Sequence, residues 1–340
     1  MITSKDQDAS GYGRRVFLAQ ASALSAATLI GLPRPALAEP APEITKIRLV
    51  HSPAICTVPG ELAEELLRLE GFSEVAYVKH SVNSPSALLA TGQADIAMDP
   101  APSVVFALGE GKRILALAGV HAGCYELFAR GSIQAVKELK GKRVAISGFG
   151  SAEHVLVASM VAYVGMDPRK DINWVIGGRD AMRLFAEGKA DAYMGFAPEP
   201  QQLRAKKIGH VIINTTQDRP WSQYFCCMVT ANREFVQKYP VATKRAVRAF
   251  LKAADICANE PERVARVVVA KGYESSYDVA LEVLKELPYR RWREASPEDT
   301  LRFHALRLHE VGMIKLNPQK IISQGADWRF LNELKKELKA

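Results

Sequence analysis

Arg143-Val144-Ala145-Ile146-Ser147-Gly148-Phe149-Gly150-Ser151-Ala152-Glu153-His154 runs on into Val155-Leu156-Val157-Ala158-Ser159-Met160. A short apolar run closed by glycines and followed by apolar positions at helical spacing reads as strand, turn and helix. The first backbone N–H groups of a helix have no intrahelical partner, and the helix dipole favours anionic or polar oxygens beside them. The loop is therefore expected to offer its amides to a ligand without using a charged side chain. The same residues would also suit a plain tight turn at Gly148 and Gly150 with Ser151 as a helix cap, so the surroundings decide.

Working outward, the pattern predicts a strand over 172–176, a helix over 179–187, and then Gly188-Lys189-Ala190-Asp191-Ala192-Tyr193-Met194-Gly195. That last segment echoes Gly92-Gln93-Ala94-Asp95-Ile96-Ala97-Met98-Asp99 in the first half, a helix stop followed by a short buried strand. Before it, strands are expected over 44–50 and 75–79, with helices over 59–70 and 87–91, the second capped by Ser84 and opened by Pro85. After it come a helix over 103–108, a strand over 114–118 and an extended run over 125–130. Strands alternating with helices predict α/β lobes, each a mostly parallel sheet flanked by helices. The unit occurs once in each half, so two similar lobes with a cleft between them are expected. From residue 242 the chain turns helical, with helices over 247–258, 261–269, 277–287, 297–311 and 326–338.

A chain of 340 residues is long enough for two sizeable cores. Its net charge of +8 is spread out, with no like-charge run of the kind that makes a nucleic-acid arm, and no nucleic-acid partner is expected. At the N-terminus, Arg14-Arg15-Val16-Phe17-Leu18 precedes a short apolar stretch and then Pro33-Arg34-Pro35-Ala36-Leu37-Ala38. Positive region, apolar region and small-residue cleavage site in that order are the layout of a secretory signal, here of twin-arginine type over 1–38 with cleavage near Ala38. Removing it leaves a net charge of +6. No cysteine follows the cleavage site, so a soluble periplasmic product is expected.

The five cysteines, Cys56, Cys124, Cys226, Cys227 and Cys257, show neither CxxC nor Cys/His metal spacing, and no metal or cofactor is expected. One disulfide is possible in an oxidising compartment, without a choice of partners. Cys226 and Cys227, adjacent on a strand, would face opposite ways.

Taken together, several features resemble the periplasmic substrate-binding proteins of ABC importers, in the branch that includes nitrate, sulfonate, taurine and thiamine-precursor binders. They are the signal, the Gly92-Gln93-Ala94-Asp95-Ile96-Ala97 and Gly188-Lys189-Ala190-Asp191-Ala192 segments, Leu139-Lys140-Gly141-Lys142-Arg143-Val144-Ala145 leading to the Gly/Ser loop, and the helical tail with Ser296-Pro297-Glu298-Asp299. The likeness covers the chain after residue 44. It implies the two-lobe type II fold, with lobe one built from 44–128 and 229–340, lobe two from 129–228, and crossovers near 127–131 and 225–229. Lobes of this kind close on a ligand by hinge bending.

Carried over residue by residue, the resemblance draws a ligand site from Ser52, Cys56 and Asp99, from Cys124 and Tyr125 at the first crossover, and from Phe149, Gly150, Ser151 and His154 on the opposite lobe. Phe196, Glu199 and Tyr224 complete it. Ser151 and loop amides would take the polar end of the ligand, and Phe149, Phe196 and Tyr224 its apolar part. Implied partners are a small-molecule ligand and a permease with its ATPase in the inner membrane, the protein itself being a monomer without catalytic residues.

A small organic anion or zwitterion, sulfonate- or taurine-like, suits the loop, whereas Asp99, Glu153 and Glu199 would suit an amine or nitrogen heterocycle. The alternatives are a binder of a thiamine-precursor pyrimidine or an aromatic carboxylate, or an enzyme similar to the thiamine-pyrimidine synthases. Those enzymes carry a longer cysteine cluster than Phe225-Cys226-Cys227-Met228. A hydrolase using Ser151 and His154 would lack the strained Gly-x-Ser-x-Gly elbow.

Overall fold

Ten strands form two separate five-stranded sheets with the same plan. A computed structural model describes residues 39–79 and 85–339, and from Ala41 onward the chain packs as one unit. The expected signal over 1–38 and the Ser84 cap lie outside the described residues. The first sheet contains β1 (Lys46–Val50), β2 (Glu74–Val78), β3 (Ile96–Pro100), β4 (Ile114–Ala122) and β10 (Phe225–Asn232), in the order β2-β1-β3-β10-β4. The second contains β5 (Tyr125–Ala129), β6 (Arg143–Ile146), β7 (Asn173–Ile176), β8 (Ala192–Phe196) and β9 (His210–Asn214), in the order β7-β6-β8-β5-β9.

The sheets are mixed rather than mostly parallel. β1 runs parallel to β2 and β3, and β6 to β7 and β8, but β10 is antiparallel to both neighbours and so is β5. Those two strands are exchanged, each being supplied by chain that has just left the other sheet. Residues 127–129 and 225–229 are thus central strands and not crossovers, and every residue of β5 and β10 is buried. The chain changes sheet instead at Gly123-Cys124, and returns between Asn214 and Phe225 through a turn at Trp221–Gln223.

The two passages touch. Gly123 has φ +60°, and a Cβ there would lie 2.5 Å from Thr216 Cα, so only glycine fits. Thr215 Oγ1 accepts from the Cys124 and Tyr125 amides at 3.2 and 2.9 Å, and Cys124 is joined to Cys226 by a disulfide.

The repeated Gly-polar-Ala-Asp segments do the same work in both sheets. Asp95 accepts from the Arg48 amide at 2.8 Å and grips its guanidinium at 3.1 and 2.6 Å. Asp191 accepts from the Arg143 amide at 2.9 Å and grips that guanidinium at 3.2 and 2.8 Å. Each aspartate therefore fixes the start of one parallel strand against the next by a forked, charge-assisted pair.

Helices cover the sheets. Pro240–Asn259 packs on Val58–Leu69, and the Glu70–Arg248 pair at 2.6 Å holds the end of that contact. Between the sheets, helices Ala101–Gly109, Ala152–Tyr163 and Pro297–Glu310 pack together, with His304 and Ser159 in hydrogen-bond contact at 3.3 Å. No helix among the described residues is long and apolar enough to cross a membrane.

Candidate functional site

The loop that follows β6 is built as strand, turn and helix, and its own residues take some of its amides. Ser147 donates its amide to Glu153 Oε1 at 2.8 Å, and its hydroxyl bonds the same oxygen. The Gly150 amide donates to His154 Nδ1 at 3.1 Å, and the Ser151 amide to Gly148 O at 3.3 Å. Ser151 caps the helix by accepting from the His154 amide at 3.4 Å. While the amides of Gly148, Phe149, Ala152 and Glu153 have no partner among the described residues, the expected anion cradle is therefore partly filled by the loop's own residues. The reason is Glu153, which occupies the first turn of the helix and satisfies the amide at the strand end.

His154 accepts a hydrogen bond at Nδ1, and burial pushes its pKa down to about 4, so it is neutral. Its ring meets Phe149 at 5.2 Å and Trp174 at 4.8 Å, both edge-on. No Ser151–His154 proton-transfer pair exists, because the two meet through the His154 backbone. Phe149 is 66% exposed. Gly150, at φ +80°, brings this loop against the first half of the chain, and a Cβ there would sit 3.1 Å from the Phe106 ring.

A second group of expected residues converges where the ends of β3, β5, β8 and β10 face each other. Tyr125 is fully buried at the start of β5, and burial, with the Glu153 and Glu199 carboxyls nearby, holds its phenol well above the usual pKa. Phe196 lies edge-on to it at 5.7 Å. Glu199, at the start of helix Glu199–Ala205, accepts from the Tyr193 hydroxyl at 2.6 Å. Burial, with the Glu153 carboxylate nearby, raises its pKa. Asp99, fully buried in β3, accepts from Ser86 Oγ, yet burial still drives its pKa up to about 7. None of Asp99, Glu153 and Glu199 is in an ion pair among the described residues.

Ser52 Oγ, Asp99 Oδ1, His121 Nε2, Glu126 Oε2 and Gln201 Oε1 are all buried and unpaired among the described residues. Buried polar groups are normally satisfied, so each such atom is a candidate contact for something polar.

Two expected residues are engaged elsewhere. Cys124 is consumed by its disulfide, and Tyr224 stacks on Phe303 at 4.2 Å against helix Pro297–Glu310. Ser86, Tyr193 and His121 were not foreseen. Ser86 lies in a helix and Tyr193 in a strand whose sequence gives no hint of the carboxylates they serve.

Two sheets of one topology, with exchanged antiparallel strands and a buried polar cluster between them, define the periplasmic-binding-protein fold. Residues 73–264 match the NMT1/THI5-like family, and the chain belongs to it. Among solved structures it is similar to the periplasmic nitrate-binding protein NrtA from Synechocystis PCC 6803, at 15% identity and a TM-score of 0.73 over 88% of this chain and 90% of that one. The alkanesulfonate-binding protein SsuA from Xanthomonas axonopodis pv. citri, bound to MOPS, gives 16% identity and 0.67 over 86% and 99%. The desulfurization enzyme DSZB gives 14% identity and 0.60 over 87% and 100%. No curated protein matches the sequence.

Proposed function

We propose that this chain is the extracytoplasmic solute-binding component of an ABC importer, exported by a twin-arginine signal cleaved near Ala38. It acts as a monomer that hands its ligand to an inner-membrane permease and ATPase and performs no chemistry on it. The family, and a fold shared with nitrate- and alkanesulfonate-binding proteins, support that role. The ligand site is the cleft between the lobes, formed by Ser52, Cys56 and Asp99 on one side and Tyr125, Glu153, Phe196 and Glu199 on the other.

Of the ligands considered from the sequence, an amine-bearing compound or nitrogen heterocycle fits better than a simple sulfonate. The observation that carries this is the set of three carboxyl groups, Asp99 and Glu153 buried and Glu199 half-buried, with no cation paired to them among the described residues. Burial opposes ionisation of such acids, and a hydrogen-bond donor or cation placed beside them relieves that cost where an anion would add to it. An aminosulfonate remains compatible through its amino end.

A thermal-shift and intrinsic-fluorescence panel tests the reading, with aminopyrimidines, small amines, taurine, alkanesulfonates and nitrate as probes. Nitrogen donors should stabilise the protein, and Glu199→Gln should weaken their binding about tenfold to a hundredfold, the cost of one charge-assisted hydrogen bond. Stabilisation by alkanesulfonates or nitrate, with indifference to every nitrogen donor, would overturn the ligand assignment. Turnover of a bound compound would overturn the role.

A further inference from the structure

Cys56, His121 and Cys227 lie far apart in sequence, yet the fold sets a ligand atom of each within 4.8 Å of the others. Cys227 in β10 is directly opposite His121 in β4, so their side chains share one face of the first sheet. Cys56 arrives from the turn Ile55–Thr57 that follows β1. All three are buried. His121 Nδ1 faces Gly123 O at 3.1 Å, so that nitrogen carries the proton and Nε2 keeps the lone pair. Nε2 is buried without a hydrogen-bond partner among the described residues. A metal-bound imidazole is commonly set in this way, one nitrogen held by a carbonyl and the other free to ligate. Tyr289 steadies the assembly, donating to Ile55 O and Cys56 O at 3.3 and 3.4 Å while its ring lies edge-on to His121 at 5.2 Å.

From this arrangement we infer that Cys56, His121 and Cys227 form a buried binding site for zinc. Two soft sulfur donors and one imidazole suit a thiophilic d10 cation rather than magnesium or calcium, which demand oxygen ligands. Charge selects the divalent ion. Two thiolates, a neutral imidazole and Zn²⁺ sum to zero, whereas Cu⁺ on the same donors leaves one uncompensated negative charge in a water-free interior. Binding releases both thiol protons to solvent, so affinity rises with pH. Three protein donors leave zinc one position open for a further ligand atom. Cys226 on the neighbouring position is held in its disulfide and is not a donor.

The test uses the full chain with its disulfide intact, stripped by chelator and then dialysed against zinc, copper(I) under anaerobic conditions, or magnesium. Elemental analysis should find one zinc per chain, retained against magnesium, with Tm rising by about 4 °C at a hundredfold excess over Kd. Cobalt(II) in place of zinc should show sulfur-to-metal charge transfer, and X-ray absorption of the zinc form should count two sulfur donors and one imidazole. Cys56→Ser and Cys227→Ser, checked for folding by circular dichroism, should lose the bound metal at least tenfold. Should either variant fail to fold, the spectra of the wild-type protein decide. Zinc held only by oxygen and nitrogen donors, equal retention by folded serine variants, no stoichiometric zinc, or copper(I) bound in preference to zinc would each overturn the assignment.

Discussion

Asp99 stands in a Met98-Asp99-Pro100 segment that suits a turn as well as a ligand contact. Full burial raises its pKa from 3.8 to about 7. The sign follows directly. In the unfolded chain the proton leaves near pH 4, whereas the folded state holds it to about pH 7, so the stability this group contributes is whole below about 4 and is lost as pH rises through 7. His121 and His154, lowered to about 4, act oppositely and cost stability as pH falls from 6.5 towards 4. Urea denaturation of Asp99→Asn against wild type should isolate the first effect. The wild-type midpoint should fall relative to the variant between pH 5 and 8, and equal slopes would refute the burial account. Binding of an amine ligand should strengthen over the same range, as Asp99 ionises, and isothermal titration at several pH values reads it. At this scale the sequence made candidates visible through residue type alone. It could not show that Glu153 would take the Ser147 amide, nor that residues 56, 121 and 227 would meet, because both depend on folded geometry rather than on spacing.

At the scale of the element, periodicity and turn chemistry served well. Predicted and observed bounds differ by at most one residue for 75–79, 59–70 and 261–269, and prolines mark the starts of the two helices. The helix expected over 179–187 starts as a tighter turn at Gly178–Asp180 and becomes regular only at Ala181–Ala186. β9 was not anticipated, since His210–Asn214 is half-buried along its length and carries no strong alternation. The echoed aspartates were legible as a repeat, and their role as clamps for Arg48 and Arg143 follows from the structure. Asp95→Ala and Asp191→Ala should each lower stability by about 1–3 kcal/mol, the worth of a charge-assisted hydrogen-bond set. Adding Arg48→Ala to Asp95→Ala should cost less than the two separate losses together. A fully additive double mutant in urea denaturation would mean that the clamp contributes nothing as a pair.

For the whole molecule, the two-lobe α/β plan was readable from the duplicated grammar, while the exact passages between sheets were not. Apolar runs such as Phe225-Cys226-Cys227-Met228 look alike whether they link lobes or lie at the centre of a sheet. The Cys124–Cys226 bond ties one passage to the other across 102 residues of chain. Replacing both cysteines by serine should lower stability by about 2–4 kcal/mol and quicken amide exchange over 214–225. Unchanged exchange there would show that Thr215 and Gly123 alone hold the passages together. The swapped positions of β5 and β10 also set a timetable for synthesis. The second sheet has all its strands once residue 214 has left the ribosome, but the first, begun at residue 46, keeps a vacant place between β3 and β4 until residue 232 emerges. The half that is started earliest is the last to be finished, and for that interval its two open edges are exposed to neighbouring chains.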